Sequence, residues 1–89
     1  MKSVFTKEYN FLLDYLISAR KEADFTQQEL AERLGKPQSF VSKYERRERR
    51  LDLVEVVIIA RALGFDPCKL VRKIEEQVPH RPKAKGARK

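Results

Sequence analysis

Apolar residues recur at three- and four-residue steps along most of this chain, the period of helices with one buried face. The first such stripe holds Phe5, Tyr9, Leu12, Leu16, Ala19 and Ala23, widened by Leu13 and Ile17. Thr6 is placed to cap this helix, and Asp24 ends it. Residues 1–5 should fray, with Val4 and Phe5 able to tuck onto the core. The second helix is predicted over Gln27–Leu34. Thr26 with Glu29 makes a capping box, Phe25 with Leu30 a hydrophobic staple, and Gly35 a left-handed stop. Pro37 cannot continue that helix but can open the next at its first turn. The third helix then covers about residues 37–46. Two helices joined by so short a turn cross steeply and need a small residue where they meet, which Ala31 supplies.

The third helix has two sides. At about 100° per residue, Val41 and Tyr44 fall together with Phe40 at their border. Ser39, Ser42, Lys43 and Arg46 point the other way, and Gln38 sits at the N-terminal tip. No acid interrupts this outer stripe, although an ordinary solvated helix mixes Glu with Lys.

Residues 51–64, LDLVEVVIIARALG, are the ambiguous stretch. The β-branched run VEVVII suits a strand on propensity alone. The flanks decide for a helix: Asp52 with Glu55 repeats the capping box, Leu51 with Val56 the staple, and Gly64 the stop. Val56, Ile59, Ala60 and Leu63 then share one face. A last helix spans 65–77, with Asp66 as cap, Pro67 at its first position and Leu70, Val71 and Ile74 as its apolar side. Pro79 and Pro82 end it. The expected fold class is all-α, a compact bundle of five helices, with one domain over 1–77 and a disordered basic tail over 78–89.

Charge sharpens this picture. The 89 residues carry a formal charge of +7. Residues 1–77 hold 15 basic and 13 acidic side chains, while 78–89 hold 5 basic and none acidic. The domain is thus close to neutral, and its positive charge is local, a balance suited to a polyanionic partner. The run Arg46, Arg47, Arg49 and Arg50 is broken only by Glu48. The lone Cys68 excludes an intramolecular disulfide and reads as a small inert side chain. His80 has no ligand-spaced companion. No apolar stretch has the length of a membrane span, and the N-terminus is too polar for a signal peptide. There is no nucleophile–base pair, no paired catalytic carboxylates and no phosphate loop. An enzyme is therefore not expected, and neither is a metal or cofactor.

The motifs TQQELAERLG, PQSFVSKYE, ERRLD and ARALG together resemble the Cro and phage-repressor family, the Xre-type helix-turn-helix regulators. The resemblance covers roughly residues 8–75. It implies a lambda-repressor-like fold and sequence-specific binding of double-stranded DNA by a small cytoplasmic regulator of bacterial or phage type, commonly a repressor. It also implies a homodimer on a palindromic operator. Gln27 would touch a phosphate and brace Gln38, which reads a base. Arg20 and Glu45 match a partly buried ion pair behind the recognition helix. The family usually has glycine where Arg47 stands.

Residue chemistry agrees with this assignment. Glutamine can pair with adenine, and lysine can reach guanine. Gln38, Ser39, Ser42 and Lys43 are therefore the candidate base contacts. Gln27, Arg46, Arg47, Arg49 and Arg50 are the candidate backbone contacts, with helix N-termini offering free N–H groups to phosphate. Each has a plainer reading as a solvated helix face or charge run. The dimer surface expected from the sequence is the last helix, through Val71, Ile74 and Val78. Two rivals stand beside a free-standing repressor. One is the same binding in a restriction–modification controller or an antitoxin that represses its own gene. The other is a protein-interaction adaptor of the same fold, which would need a sizeable exposed apolar patch.

Overall fold

The computed structural model describes residues 5–79. They form five helices and no strand: α1 (Lys7–Glu22), α2 (Gln27–Leu34), α3 (Gln38–Glu45), α4 (Leu53–Leu63) and α5 (Pro67–Gln77). The first four residues, expected to fray, and the basic tail from His80 onward lie outside the described residues.

Short side chains set the helix starts. The Thr26 hydroxyl accepts from the Glu29 N–H at 3.0 Å, and the Glu29 carboxylate accepts from the Thr26 N–H at 2.9 Å. The same reciprocal box joins Asp52 and Glu55 at 2.8 and 2.9 Å. It satisfies donors that a helix leaves open and commits the VEVVII run to α4. Gly35 and Gly64 close α2 and α4 with φ of 68° and 85°. A Cβ at either would meet nothing within 4 Å, so the backbone conformation, not space, requires glycine there.

One boundary differs from expectation. Pro37 is the N-cap of α3, at φ −69° and ψ 156°, and the first helical residue is Gln38. The extended ψ keeps the proline outside the helix, and its carbonyl accepts from the Phe40 N–H at 3.0 Å.

The core draws on every helix. Leu13, Leu16, Leu30, Val41, Tyr44, Ile59 and Leu70 are its largest fully buried side chains. On α1 the buried stripe centres on Leu13 and Leu16, whereas Ala23 is exposed. This shift follows from packing, because α3, α4 and α5 all rest on α1 and demand a wide face. Phe5 does join the core, stacked on Tyr9 with ring centroids 5.0 Å apart.

The last helix buries less than its pattern suggested. Leu70 is fully buried and Ile74 partly, but Val71 stands 53% exposed. On α4 the inner face is Val56, Ile59 and Ala60, as expected, with Leu63 partly buried. The opposite face is also apolar: Leu53, Val54, Val57 and Ile58 are all exposed. No helix among the described residues is long and apolar enough to cross a membrane.

Candidate nucleic-acid interface

The turn between α2 and α3 is closed by backbone hydrogen bonds. The Lys36 N–H reaches back to the Ala31 carbonyl at 2.9 Å, and the Gly35 N–H to that of Glu32 at 3.1 Å. Ala31 itself is buried where the backbones approach. Val41 and Tyr44 anchor α3 inward with no exposed surface. That leaves Gln38, Ser39 and Lys43 exposed on the opposite side, with Ser42 half-buried beside them. The Ser42 hydroxyl donates to the Ser39 carbonyl at 3.3 Å, so its lone pairs face outward as acceptors.

A chain of polar contacts runs from the interior to this surface. Arg20 donates through Nε and Nη2 to both oxygens of Glu45, at 2.7 and 3.1 Å, and through Nη1 to the Phe25 carbonyl at 2.7 Å. The hydrogen-bonded Glu45 carboxylate raises the arginine pKa against the opposing effect of desolvation. Glu45 Oε1 also accepts from Gln27 Nε2 at 2.9 Å, and Gln27 Oε1 accepts from Gln38 Nε2 at 3.5 Å. The expected ion pair is therefore present, and Gln27 stands between it and Gln38. Glu45 closes α3, so the pair pins the end of that helix to α1, while Oε1, shared between Arg20 and Gln27, orients the glutamines.

The arginine run is not a free charge cluster. Arg46 pairs with Glu48 at 3.0 Å, and both side chains are more than half exposed. That contact holds the Glu48 carboxyl below the usual carboxylate range and raises the Arg46 guanidinium. Arg49 forms a two-pronged bridge to Glu55, at 2.7 and 3.0 Å. The bridge, helped by the Asp52 N–H, lowers the Glu55 carboxyl to about 2. Arg50 lies over the rings of Tyr9 and Phe5, at 4.2 and 5.2 Å.

Arg47 turns back onto α1, giving Nε to Asn10 at 2.8 Å, Nη2 to Asp14 at 3.1 Å and Nη1 to the Glu45 carbonyl at 3.1 Å. It occupies the left-handed region at φ 66°, so a bulky residue takes the conformation glycine would adopt. Its three hydrogen bonds offset that strain. The structure thus places Arg47 as an anchor of the loop, away from the outer side of α3, where the sequence reading expected a backbone contact. The Leu51 N–H, bonded to the Tyr9 hydroxyl at 2.9 Å, straps the loop a second time.

Asn10 and Asp14, and the hydroxyl of the otherwise expected core residue Tyr9, are what sequence reasoning missed here. Asn10 and Asp14 stand one turn apart on the polar side of α1, but nothing local ties them to a loop more than thirty positions away. Phe40 was also only partly legible. Arg49 and Lys36 lie over its ring at 4.8 and 5.3 Å, and its edge meets Tyr44, so cations hold it half-buried at the rim of α3. Among the described residues no group of three or more His, Cys, Asp or Glu is placed to hold a metal.

A helix-turn-helix family model matches residues 16–70, more than half of the chain. The chain belongs to the Xre-type, Cro and phage-repressor family of helix-turn-helix proteins. This Xre-type chain also matches a solved structure described as an XRE-family like protein from Pseudomonas syringae pv. tomato str. DC3000. The two are 53% identical with a TM-score of 0.77, over 81% of this chain and 88% of the other. No curated protein matches. Family membership makes this Xre-type protein a DNA-binding transcription regulator with the five-helix fold derived above.

Proposed function

We propose that this regulator is a sequence-specific repressor that binds a palindromic operator as a homodimer, with α3 in the major groove of each half-site. Gln38, Ser39, Ser42 and Lys43 face base edges. Gln27 lies at the N-terminus of α2, where free N–H groups favour a phosphate. Arg46, Arg49 and Arg50 hold the sugar–phosphate backbone beside it, and Arg47 keeps their loop on α1. The observation that carries this reading is the Arg20–Glu45–Gln27–Gln38 chain, which orients a base-reading side chain from a buried ion pair.

Selection of bound sites from a random duplex pool tests it. The expected product is an inverted repeat with half-sites about one helical turn apart. Lys43→Ala should then relax preference at one base position, at about 1–3 kcal/mol of discrimination. Arg46→Ala should weaken all sequences alike and lower the salt slope by about one. Identical behaviour of the two variants would overturn the division into readers and holders.

One observation favours a second reading, a protein-interaction adaptor. The apolar outer face of α4 is the kind of patch an adaptor needs. The adaptor reading requires binding of a protein partner with no preference among duplexes at low salt.

A further inference from the structure

Among the described residues, four apolar side chains on α4 stand exposed rather than covered. Leu53 is 70% exposed, Val54 66%, Val57 37% and Ile58 51%. They recur at steps of three and four, so they form one continuous strip over two turns. A helix apolar on all sides belongs in an interior. Here one side faces the core and the other faces out. Together the four leave on the order of 400 Å² of apolar surface open, about the largest patch an ordinary monomer carries and one that is often functional.

We propose that this strip is the self-association surface, on which two copies of the chain pack α4 against α4 antiparallel about a two-fold axis. The inference rests on the operator-binding reading above and names the surface that reading leaves open. Three observations select a second copy. The tail over 80–89, HRPKAKGARK, holds no apolar side chain larger than proline to cover Leu53 and Ile58. The strip is self-complementary in charge as well as shape. Asp52 sits at one end and Arg61 in the last turn at the other, so antiparallel apposition brings each Arg61 beside the other copy's Asp52. The helix dipoles then also run opposite, and the same patch serves both partners, as a two-fold interface demands.

The third observation is position. Arg49 in the loop after α3 bridges to Glu55 on α4 and lies over the Phe40 ring of α3, so the base of the strip is tied to α3 through that one side chain. Pairing through α4 therefore fixes the spacing of the two α3 helices with little intervening chain. The last helix offers less, since its outward apolar residues are only Val71 and Val78 beside a partly buried Ile74.

Area sets the strength. Two strips would bury roughly half of the 1,600 Å² typical of a stable interface. The dimer should accordingly be weak in solution and be completed on DNA.

The experiment compares the full chain with Val54→Gln/Ile58→Gln, two positions exposed enough to change without disturbing the core. Wild type should show concentration-dependent monomer–dimer exchange in sedimentation equilibrium. It should also bind a palindromic duplex at least tenfold tighter than a single half-site. The double variant should melt like wild type, remain monomeric, keep its half-site affinity and lose the tenfold palindrome advantage. In a Cys68→Ser background, a short bismaleimide should cross-link Val57→Cys and not Val71→Cys. Cross-linking through Val71→Cys, an unchanged dimer in the double variant, or a wild type that stays monomeric with and without the palindrome would each overturn the α4 surface. A wild type that captures a different protein through Val54 and Ile58 while staying monomeric would also overturn it, in favour of the adaptor. Loss of half-site preference in wild type itself would instead refute the operator reading, so the two failures are distinct.

Discussion

Glu45→Gln removes one charge from the interior and keeps its shape. The Arg20 side chain is 10% exposed and that of Glu45 7%, so water screens the pair very little. The substitution leaves a buried guanidinium facing one carbonyl and a neutral amide. Breaking a pair of this kind by removing one partner costs about 3–5 kcal/mol. The amide oxygen can still accept one bond, which places the expected loss at the lower end, about 3 kcal/mol. In a domain of this length each kcal/mol moves the melting temperature by roughly 4–8 °C, so a fall of about 12–24 °C is expected. Urea and thermal unfolding followed by far-ultraviolet circular dichroism read both quantities. A second variant separates stability from positioning. Arg20→Met with Glu45→Leu removes both charges, and apolar replacement of a whole buried pair is often neutral or stabilising. That variant should unfold near the wild-type midpoint. It nevertheless leaves Gln27 without its acceptor, so Gln38 loses its brace. Losing about 1 kcal/mol of orientation at that position lowers operator discrimination roughly fivefold. A Glu45→Gln loss under 1 kcal/mol would refute the claim that the pair pins α3. A double variant with full discrimination would refute the claim that the pair reaches the base-reading surface.

Three further outcomes follow from the same geometry. The Tyr44 hydroxyl is buried without a hydrogen-bond partner among the described residues, and burial, followed by Glu45, pushes its pKa up. Tyr44→Phe should therefore raise the urea midpoint, by about 1 kcal/mol in stability, and a lower midpoint would contradict this account. The Glu55 carboxyl is lowered to about 2 in the folded chain from an ordinary value of 4.5. A depressed acid stabilises above the ordinary value and loses that contribution as pH falls from about 4.5 to about 2, so Glu55→Gln should melt lower at neutral pH and show a shallower acid decline over that window. At the left-handed Arg47, stability should rank wild type above Arg47→Gly above Arg47→Ala, with roughly 1 kcal/mol between the last two; calorimetry reversing glycine and alanine would refute strain at this site.

Legibility followed distance along the chain. Both capping boxes close within three residues, and both glycine stops act on the turn just before them. Propensity for VEVVII argued for a strand, yet Asp52, Glu55 and Gly64 outweighed it because they act on the helix ends directly. The outward side of α3 was legible for a related reason: one side chain every 100° leaves little choice once Val41 and Tyr44 point inward. Burial on α4 and α5 was harder. The period identifies positions that share a face, but it does not say which apolar faces the other helices cover. Leu53, Val54, Val57 and Ile58 share a face as well as Val56 and Ile59 do, and only the packing of α1, α2 and α5 shows which set is inside. Apart from Glu48, which pairs with Arg46 two residues away, the side-chain partners of the arginine loop lie between residues 5 and 14 and at residues 40 and 55, and no local pattern links them.

That loop changes how the protein's charge should be counted. From sequence, four arginines beside a nearly neutral domain suggest four phosphate contacts. In the fold each already has a partner, so a phosphate must replace an existing contact rather than meet an idle cation. The replacement is easiest for Arg46, because it and Glu48 are 58% and 52% exposed and an exposed pair is worth little. It is harder for Arg49, whose bridge to Glu55 also supports the start of α4 and the cations around Phe40. It is hardest for Arg47, whose three bonds hold a strained backbone. The salt dependence of operator binding should therefore reflect Arg46 first, and fall short of the slope that a simple count of loop arginines would give. The loop's main work is mechanical: it fastens the end of α3 to α1 and α4, so that on the proposed reading the angle at which α3 would meet a groove is set before any nucleic acid arrives.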